Sequence, residues 1–394
     1  MEHTVLTGVI ILLAASVVGL AVFARLGLPA LLAYLVVGVI VGPHGLSWLP
    51  HTADIHFLGE FGVVLLLFTI GLEFSLSQLW LLRKQVFGVG GAQVSVSAAV
   101  GAGLAWLFGA EPSAAFVLGG ALALSSTAVV SRELARRDEI GQPHGRLSVS
   151  VLIFQDLAVV PFLILIPVLG GDADTGAWQA VTAALAQGAL VVVLMLATGR
   201  WILRPLFRRL VAYGSQEIFR LTALLFALAA AWVTEYAGLS LALGAFLAGA
   251  MLAETEHRQQ LQMEITPFRD VLLGLFFVVI GMMLDLQAVV RWLPWVLLAL
   301  TVLLLLKTLT TTLLGRMLGV PRGTAMHAGI LLSQGGEFGL VLATLAAAEG
   351  LLDEAVVQVI LATIILSIAL TPLLARWAEP LSDRLCFAHG PANR

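Results

Sequence analysis

Long apolar runs, separated by short segments rich in charge, glycine or proline, recur along all 394 residues. A helix of about 20 apolar residues spans the hydrocarbon core of a bilayer, and irregular backbone facing lipid would leave polar groups unpaired. The pattern therefore predicts a bundle of about thirteen transmembrane helices. They are expected at 5–23, 30–41, 58–72, 86–108, 114–130, 147–169, 177–197, 218–236, 239–252, 271–284, 292–314, 325–348 and 355–374.

The composition agrees with a membrane protein and excludes several other classes. Hydrophobic residues make up 60% of the chain and charged residues 11%, against about 25% charged in soluble domains. The single cysteine, Cys386, excludes a disulfide framework, and the eight histidines show no paired metal-ligand spacing. A net charge of -3 without a basic stripe excludes nucleic acid as a partner. We therefore predict an all-α polytopic membrane protein that is not an enzyme and holds no resident cofactor.

The loops between the predicted spans differ in charge. Alternate loops and the C-terminal tail hold nineteen of the 21 Lys and Arg residues, whereas the opposite loops hold only Arg291. Short cytoplasmic loops retain basic residues, so this asymmetry predicts an external N-terminus and a cytoplasmic C-terminus in a plasma (inner) membrane. The polar segment 253–268 is expected to be a solvated loop, with a regulatory or partner surface as the alternative.

A weak internal symmetry divides the transmembrane domain, 1–380, into two halves. Repeat one covers about 1–170 and repeat two about 218–375, with a linker helix at about 177–197 between them and a short tail at 381–394. Units separated by one crossing have opposite orientation, and transporters with inverted repeats bind substrate on interrupted helices near the midplane. Polar or glycine-rich clusters interrupt corresponding spans of the two halves. They are Ser125, Ser126 and Thr127 in the first and Ser333, Gln334, Gly335, Gly336 and Glu337 in the second.

Asp156 lies about ten residues from either end of its predicted span, near the bilayer centre. A carboxylate there costs at least a few kcal/mol and usually faces a polar cavity with a function. Ionised Asp156 can bind an alkali cation through oxygen ligands, and protonated Asp156 cannot. Competition between the two ions would couple opposite flows of cation and proton. The structural alternative is a buried Asp that only pairs with a neighbouring helix.

Lys307 is the second charge in the middle of a span, and it lies in the other half. Two opposite charges in apolar helices are most easily accommodated as a pair, so Lys307 is either a structural counter-charge or a proton carrier. Thr127, Ser126 and the broken backbone near Gly335 are candidates to complete the coordination of the cation, and the adjacent Gln155 supplies an acceptor and two donors. Small-residue packing is the alternative for Ser125 to Thr127. Glu337 either lines the ion path or pairs with a nearby backbone or hydroxyl group.

Five strings carry a resemblance to a known family. They are GPHGL at 42–46, GLEFSLSQLW at 71–80, FQDLAVVP at 154–161, LLGLFFVVIGMMLDL at 272–286 and LLSQGGEFGLVL at 331–342. Together they resemble the monovalent cation:proton antiporter-2 family, in particular the membrane domain of Kef-type potassium/proton antiporters.

The resemblance implies thirteen helices in a NhaA-like inverted repeat, whose core domain moves like an elevator against a dimerisation domain in a homodimer. It implies an ion site at Gln155 and Asp156, with Lys307 as its partner, and crossing-helix breaks at 125–127 and 334–337. It also implies a cytoplasmic nucleotide-binding regulatory domain or subunit, for which the tail at 381–394 is too short.

The leading hypothesis is therefore antiport of potassium, in preference to sodium, against protons. Relatives with two adjacent acids at the site are often electrogenic, whereas Gln155 leaves one carboxylate here, which favours one-for-one exchange. A ligand-gated potassium efflux channel on the same scaffold is the alternative. An intramembrane hydrolase would need a second central carboxylate or a Ser/His dyad, and the sequence places neither beside Asp156.

Overall fold

A computed structural model describes residues 2–48, 53–73, 83–170, 215–237, 240–253 and 255–387, with a few single residues between 186 and 209. These residues form helices, turns and loops, and none of them is in a strand. The helices are α1 (Glu2–Arg25), α2 (Ala30–Val41), α3 (Ala53–Glu73), α4 (Gly91–Leu107, after a π-helical stretch at Lys84–Gly90), α5 (Pro112–Ala123), α6 (Thr127–Arg136), α7 (Pro143–Gly170), α8 (Gln216–Tyr236), α9 (Leu241–Ala253), α10 (Arg258–Met283), α11 (Leu286–Arg291), α12 (Leu293–Met317), α13 (Arg322–Leu331), α14 (Glu337–Ala348) and α15 (Glu354–Phe387).

The prediction of an all-helical membrane protein is confirmed. Within the described part of the chain, 7 helical stretches are long and apolar enough to cross a membrane. They are Lys84–Leu107, Pro112–Arg136, Pro143–Gly170, Gln216–Tyr236, Arg258–Met283, Leu293–Met317 and Glu354–Ser382. Shorter apolar helices, α2 and α9 among them, accompany these. The total of thirteen spans stays a prediction, because the linker helix expected at 177–197 falls mostly outside the described residues.

Two helices extend further than the hydropathy pattern predicted. The expectation of a solvated loop is wrong for 258–268, because α10 begins at Arg258. This polar segment is amphipathic: Leu261 and Ile265 are fully buried, and Glu264 forms an ion pair with Arg220 of α8. The last helix, α15, continues past the predicted span end at 374 to Phe387. In both helices, mean hydropathy identified the apolar centre but not the polar end.

The chain divides into two compact units. Within the described residues, the first contains α1 to Val22, α2 from Ala33, α3, the end of α7 from Leu163, and α8 to α10. Its helix α3 packs against α9 and α10. Gly71 of α3 and Gly249 of α9 face each other so closely that a Cβ on Gly249 would lie 2.0 Å from the Phe68 carbonyl oxygen. Small residues of this kind let the backbones of membrane helices approach each other.

The second unit contains α4 to α6, α7 as far as Phe162, and α11 to α15. Helix α12 packs against α4, α13 and α15, while α14 packs against α5 and α15. All of the site residues predicted from the sequence belong to this unit: Asp156, Gln155, Lys307 and the clusters at 125–127 and 333–337. The fold therefore brings both polar interruptions and both mid-span charges into one compact body.

Replacing Gly249 by Ala should destabilise the first unit by about 1–3 kcal/mol, because the added methyl group overlaps the Phe68 carbonyl and forces α3 and α9 apart. Gly103→Ala in α4 is the matched control, since nothing lies within 4 Å of its Cβ position. Thermal denaturation of the purified protein in detergent measures both. Equal melting temperatures for the two variants would contradict the close packing of α3 and α9.

Candidate ion-binding site

The first polar interruption separates α5 from α6. Helix α5 ends at Ala123, and Leu124 and Ser126 are extended, with φ/ψ of -86/142° and -75/110°. Ser126 caps α6, because its Oγ accepts a hydrogen bond of 3.2 Å from the Val129 N–H. Short polar side chains suit this position, since their hydroxyl groups replace the partners that the broken helix no longer supplies.

The second interruption separates α13 from α14 and lies against the first. Helix α13 ends at Leu331, and Gly336 is extended before α14 begins at Glu337. The Ser125 Oγ donates a 2.8 Å hydrogen bond to the Leu332 carbonyl. A Cβ on Gly336 would lie 2.5 Å from the Ser125 carbonyl carbon, so only glycine permits this approach. The two broken segments are therefore in direct backbone contact.

Side chains from neighbouring helices and from the second interruption satisfy backbone N–H groups that the interruptions leave open. Gln155 Oε1 accepts from the Ser125 N–H at 2.7 Å, and Gln334 Oε1 accepts from the Ser126 N–H at 3.1 Å. The Gly335 N–H donates to the Ser367 Oγ at 2.9 Å. Each of these pairings is buried. Non-helical backbone at membrane depth requires such partners, because no water is present there to supply them.

Lys307 joins the two interruptions from α12. Its fully buried Nζ donates three hydrogen bonds of 2.7 Å, to the Leu124 carbonyl, the Ser125 Oγ and the Gln334 carbonyl. These acceptors take up all three protons of the ammonium group. These hydrogen bonds are with the broken segments, and the role of counter-charge to Asp156 stays a prediction.

Asp156 contacts the start of α6. Its Oδ1 accepts a 2.9 Å hydrogen bond from the Thr127 Oγ1. Both residues are half-buried, whereas Gln155 and Ser126 are fully buried. The carboxylate and hydroxyl oxygens are ligand types that hard cations prefer. Of the predicted ion ligands, Asp156 and Thr127 are therefore brought together, and both are only half-buried.

Gln155, predicted as an ion ligand, is used in a buried hydrogen-bond chain. Besides accepting from Ser125, it donates from Nε2 to the Gln93 Oε1 at 2.9 Å. Gln93 in turn donates to Ser97, whose hydroxyl is 2.9 Å from the Thr310 Oγ1. Direct coordination by Gln155 would use the second lone pair of Oε1 and stays a prediction. The contacts themselves favour a positioning role for its side chain.

Glu337 begins α14 and reaches the start of α6. Its Oε1 accepts from the Ala128 N–H at 3.4 Å, while its buried Oε2 has no hydrogen-bond partner among the described residues. A carboxylate at two helix N-termini complements their positive partial charge. This contact corresponds to the backbone-pairing alternative, and a place on the ion path stays a prediction.

Comparison with known proteins identifies the family. The family described as sodium/hydrogen exchanger, transmembrane, matches residues 11–377. The chain belongs to the sodium/hydrogen exchanger family. A relative from Alkalimonas amylolytica, called putative K(+) efflux antiporter KefB, is 43% identical over 360 residues, which are 91% of this exchanger-family chain and 54% of the relative. The chain thus spans about half the length of that relative. The prediction of a monovalent cation:proton antiporter family is confirmed.

Solved structures show the same fold. The sodium proton antiporter MjNhaP1 from Methanocaldococcus jannaschii at pH 8 is similar with a TM-score of 0.76 and 16% identity, over 97% of this chain and 99% of that one. A second structure of the same antiporter, from an electron microscopy map, gives a TM-score of 0.55 over 97% of both chains. At 16% identity, these matches show a shared fold and nothing further.

Several buried polar residues that support the candidate ion-binding site were not predicted from the sequence. Gln93, Ser97 and Ser367 are fully buried and bond to the residues that hold the interruptions. Each is a polar residue inside an apolar helix, where a polar side chain is costly to bury. The same cost singles out Asp156 and Lys307 in the sequence. Applied to uncharged side chains as well, the same criterion would have selected them.

Lys307→Met should lower the melting temperature by several degrees, because the Leu124 and Gln334 carbonyls lose their donor. A buried acceptor left without a partner costs about 1–3 kcal/mol. Lys84→Met is the matched control, since Lys84 is exposed. Thermal denaturation in detergent gives the comparison, and a Lys307→Met protein as stable as the control would show that the two interruptions hold together without the ammonium group.

Proposed function

We propose that the protein exchanges a monovalent cation for protons, with the two ions competing for Asp156. The observation that carries the proposal is the hydrogen bond between Asp156 and Thr127, at a half-buried edge beside two interrupted helices. Membership of the sodium/hydrogen exchanger family supports it. The name of the 43% identical relative, a putative potassium efflux antiporter, supports potassium as the cation in preference to sodium.

Competition supplies the coupling between the two flows. Ionised Asp156 offers anionic oxygen to a cation, and Thr127 holds the carboxylate in place through its hydroxyl group. Protonation removes the negative charge and the cation leaves. A site that opens alternately to the two sides of the membrane then moves the two ions in opposite directions. With one carboxylate at the site, because Gln155 occupies the adjacent position, we propose one-for-one exchange.

The interruptions give the site its electrostatic setting. The carbonyl groups at the C-terminal ends of half-helices carry negative partial charge, and the N–H groups at the N-terminal ends carry positive partial charge. Lys307 contacts the Leu124 carbonyl at the C-terminal end of α5 and the Gln334 carbonyl in the second interruption, and Glu337 accepts from an N–H at the start of α6. We propose that these residues compensate the half-helix ends of two crossing-helix breaks in a NhaA-like inverted repeat.

The same framework supports an elevator mechanism. The ion ligands, the interruptions and Lys307 all belong to one compact unit, so that they can move together without losing their hydrogen bonds. We propose that this unit is the moving core and that the chain forms a homodimer in the plasma membrane. The loop-charge asymmetry supports an external N-terminus and a cytoplasmic C-terminus. We also propose that a cytoplasmic regulatory domain or subunit acts on the protein.

Asp156→Asn should abolish cation-dependent collapse of a proton gradient in everted vesicles, because the amide cannot alternate between a charged and a neutral form. Asp353→Asn is the matched control, since Asp353 is exposed before α15. Potassium should collapse the gradient at lower concentration than sodium. A membrane voltage should leave the rate unchanged if exchange is one-for-one.

Normal exchange by Asp156→Asn would overturn the proposed ion site. The channel alternative, a ligand-gated potassium efflux pathway on the same scaffold, gives a different result in planar bilayers. A channel should show unitary currents that persist without a proton gradient, whereas an exchanger should show none.

Thr127→Val should raise the KM for the cation about tenfold with little change in fold, because the valine side chain has nearly the same shape but cannot donate to Asp156. A hydrogen bond to a charged group contributes about 1.5 kcal/mol or more, which corresponds to that factor. Thr127→Ser keeps the hydroxyl group and should stay close to the wild type. Equal KM values for the valine and serine variants, measured in proteoliposomes, would remove Thr127 from the site.

A further inference from the structure

A second cluster of ligand-type side chains lies in the same unit, outside the proposed ion site. Glu139 follows α6, His144 lies in the first turn of α7 and His327 lies in α13. Each offers one nitrogen or oxygen ligand atom, and these atoms lie within 4.8 Å of one another. The two imidazole rings stack with centroids 3.8 Å apart and an interplanar angle of 5°. The fold therefore gathers three metal-ligand side chains from separate segments.

His327 leaves this cluster incomplete. Its side chain is 8% exposed, and its buried Nε2 has no hydrogen-bond partner among the described residues. The Glu139 Oε2 is 4.0 Å away, beyond hydrogen-bond distance, and lies 3.2 Å from the His144 Nε2. A buried nitrogen without a partner is costly, and a neutral imidazole nitrogen is a common metal ligand. The orphaned atom points to a ligand between the three side chains.

The carboxylate of the cluster is held in position by its own backbone. The Glu139 N–H donates to the Leu134 carbonyl at 2.8 Å, and the Glu139 carbonyl accepts from the Gln142 N–H at 3.0 Å. A Cβ on Gly145 would lie 2.0 Å from the Glu139 carbonyl oxygen, so the turn packs tightly against the start of α7. Glu139 is thus fixed close to the His144 ring by the turn as well as by the hydrogen bond between them.

The local charges leave Glu139 available to a cation. The neighbouring basic residues, Arg136 and Arg137, are paired with Glu133, at 2.8 and 2.9 Å. Glu139 is instead directed at the two imidazoles. Two neutral histidines and one carboxylate are a known ligand set for Zn²⁺, with water in the fourth position. Tetrahedral bonds of 2.0–2.1 Å put ligand atoms about 3.3 Å apart. Because an imidazole nitrogen binds metal in the plane of its ring, one of the two stacked rings must rotate out of the stack when the ion binds.

We propose that Glu139, His144 and His327 bind a divalent transition-metal ion, with Zn²⁺ as the best match to the ligand set. The bound ion links α13 to the turn between α6 and α7. Helix α13 ends at the second interruption and α6 begins at the first. Because all three ligands belong to one compact unit, the metal stabilises that unit and is separate from the transported cation at Asp156.

Metal binding by the full-length protein tests this site. Protein purified in detergent and freed of any histidine tag is equilibrated with micromolar Zn²⁺, and bound zinc is measured by atomic emission. The wild type should hold one more zinc per chain than His327→Gln, and zinc should raise its melting temperature by several degrees through preferential binding to the folded state. That increase should be absent in His327→Gln. The control is His44→Gln, because His44 is exposed and far along the chain from the cluster.

Co²⁺ gives an independent readout of geometry. The wild type should show the visible absorption of four-coordinate Co²⁺, and His144→Gln and Glu139→Gln should lose it. These two residues are part-exposed, so the variants serve even if His327→Gln does not fold. Equal zinc content in the wild type and the cluster variants would overturn the proposal, as would an unchanged melting temperature or a Co²⁺ spectrum that the substitutions do not alter.

Discussion

The ammonium group of Lys307 and the oxygens of the two broken segments depend on each other. A charged amine in an apolar helix bundle needs polar partners, and carbonyl groups released from helices at that depth need donors. The three hydrogen bonds from Nζ meet both needs with one side chain. They connect α12 with the end of α5 and with the segment between α13 and α14. The remaining polar contacts of the site build outward from this connection.

The polar residues around Lys307 fall into two groups that differ in burial. Gln155, Gln334, Gln93 and Ser367 are buried, and their hydrogen bonds fix the backbone of the interruptions. Asp156 and Thr127 are half-buried. This separation suits an exchanger, because Asp156 can gain and lose charge while the buried pairings remain intact.

His327 is one of five residues of the second unit whose buried side-chain polar atom has no hydrogen-bond partner among the described residues; the others are Ser148, Thr311, Glu337 and Thr363. His327 places a nitrogen in a buried position with no hydrogen bond within the described structure, although the nearby interruptions satisfy their backbone groups. A buried nitrogen without a partner calls for an explanation. Its neighbours, a fixed carboxylate and a second imidazole, determine the chemistry that would satisfy it.

The sequence by itself determined that the protein is helical and crosses a membrane, and it selected Asp156, Lys307 and the clusters at 125–127 and 333–337. These features are local, because apolar length and the cost of a polar residue in an apolar run depend only on neighbouring residues. Hydropathy missed the amphipathic start of α10, where burial of one face outweighs average polarity. Only the tertiary structure decided that Lys307 holds the broken segments, that Gln155 bonds to the backbone of Ser125, and that His144 meets His327. These contacts join distant parts of the chain, so they depend on how the helices pack, which spacing along the sequence does not encode.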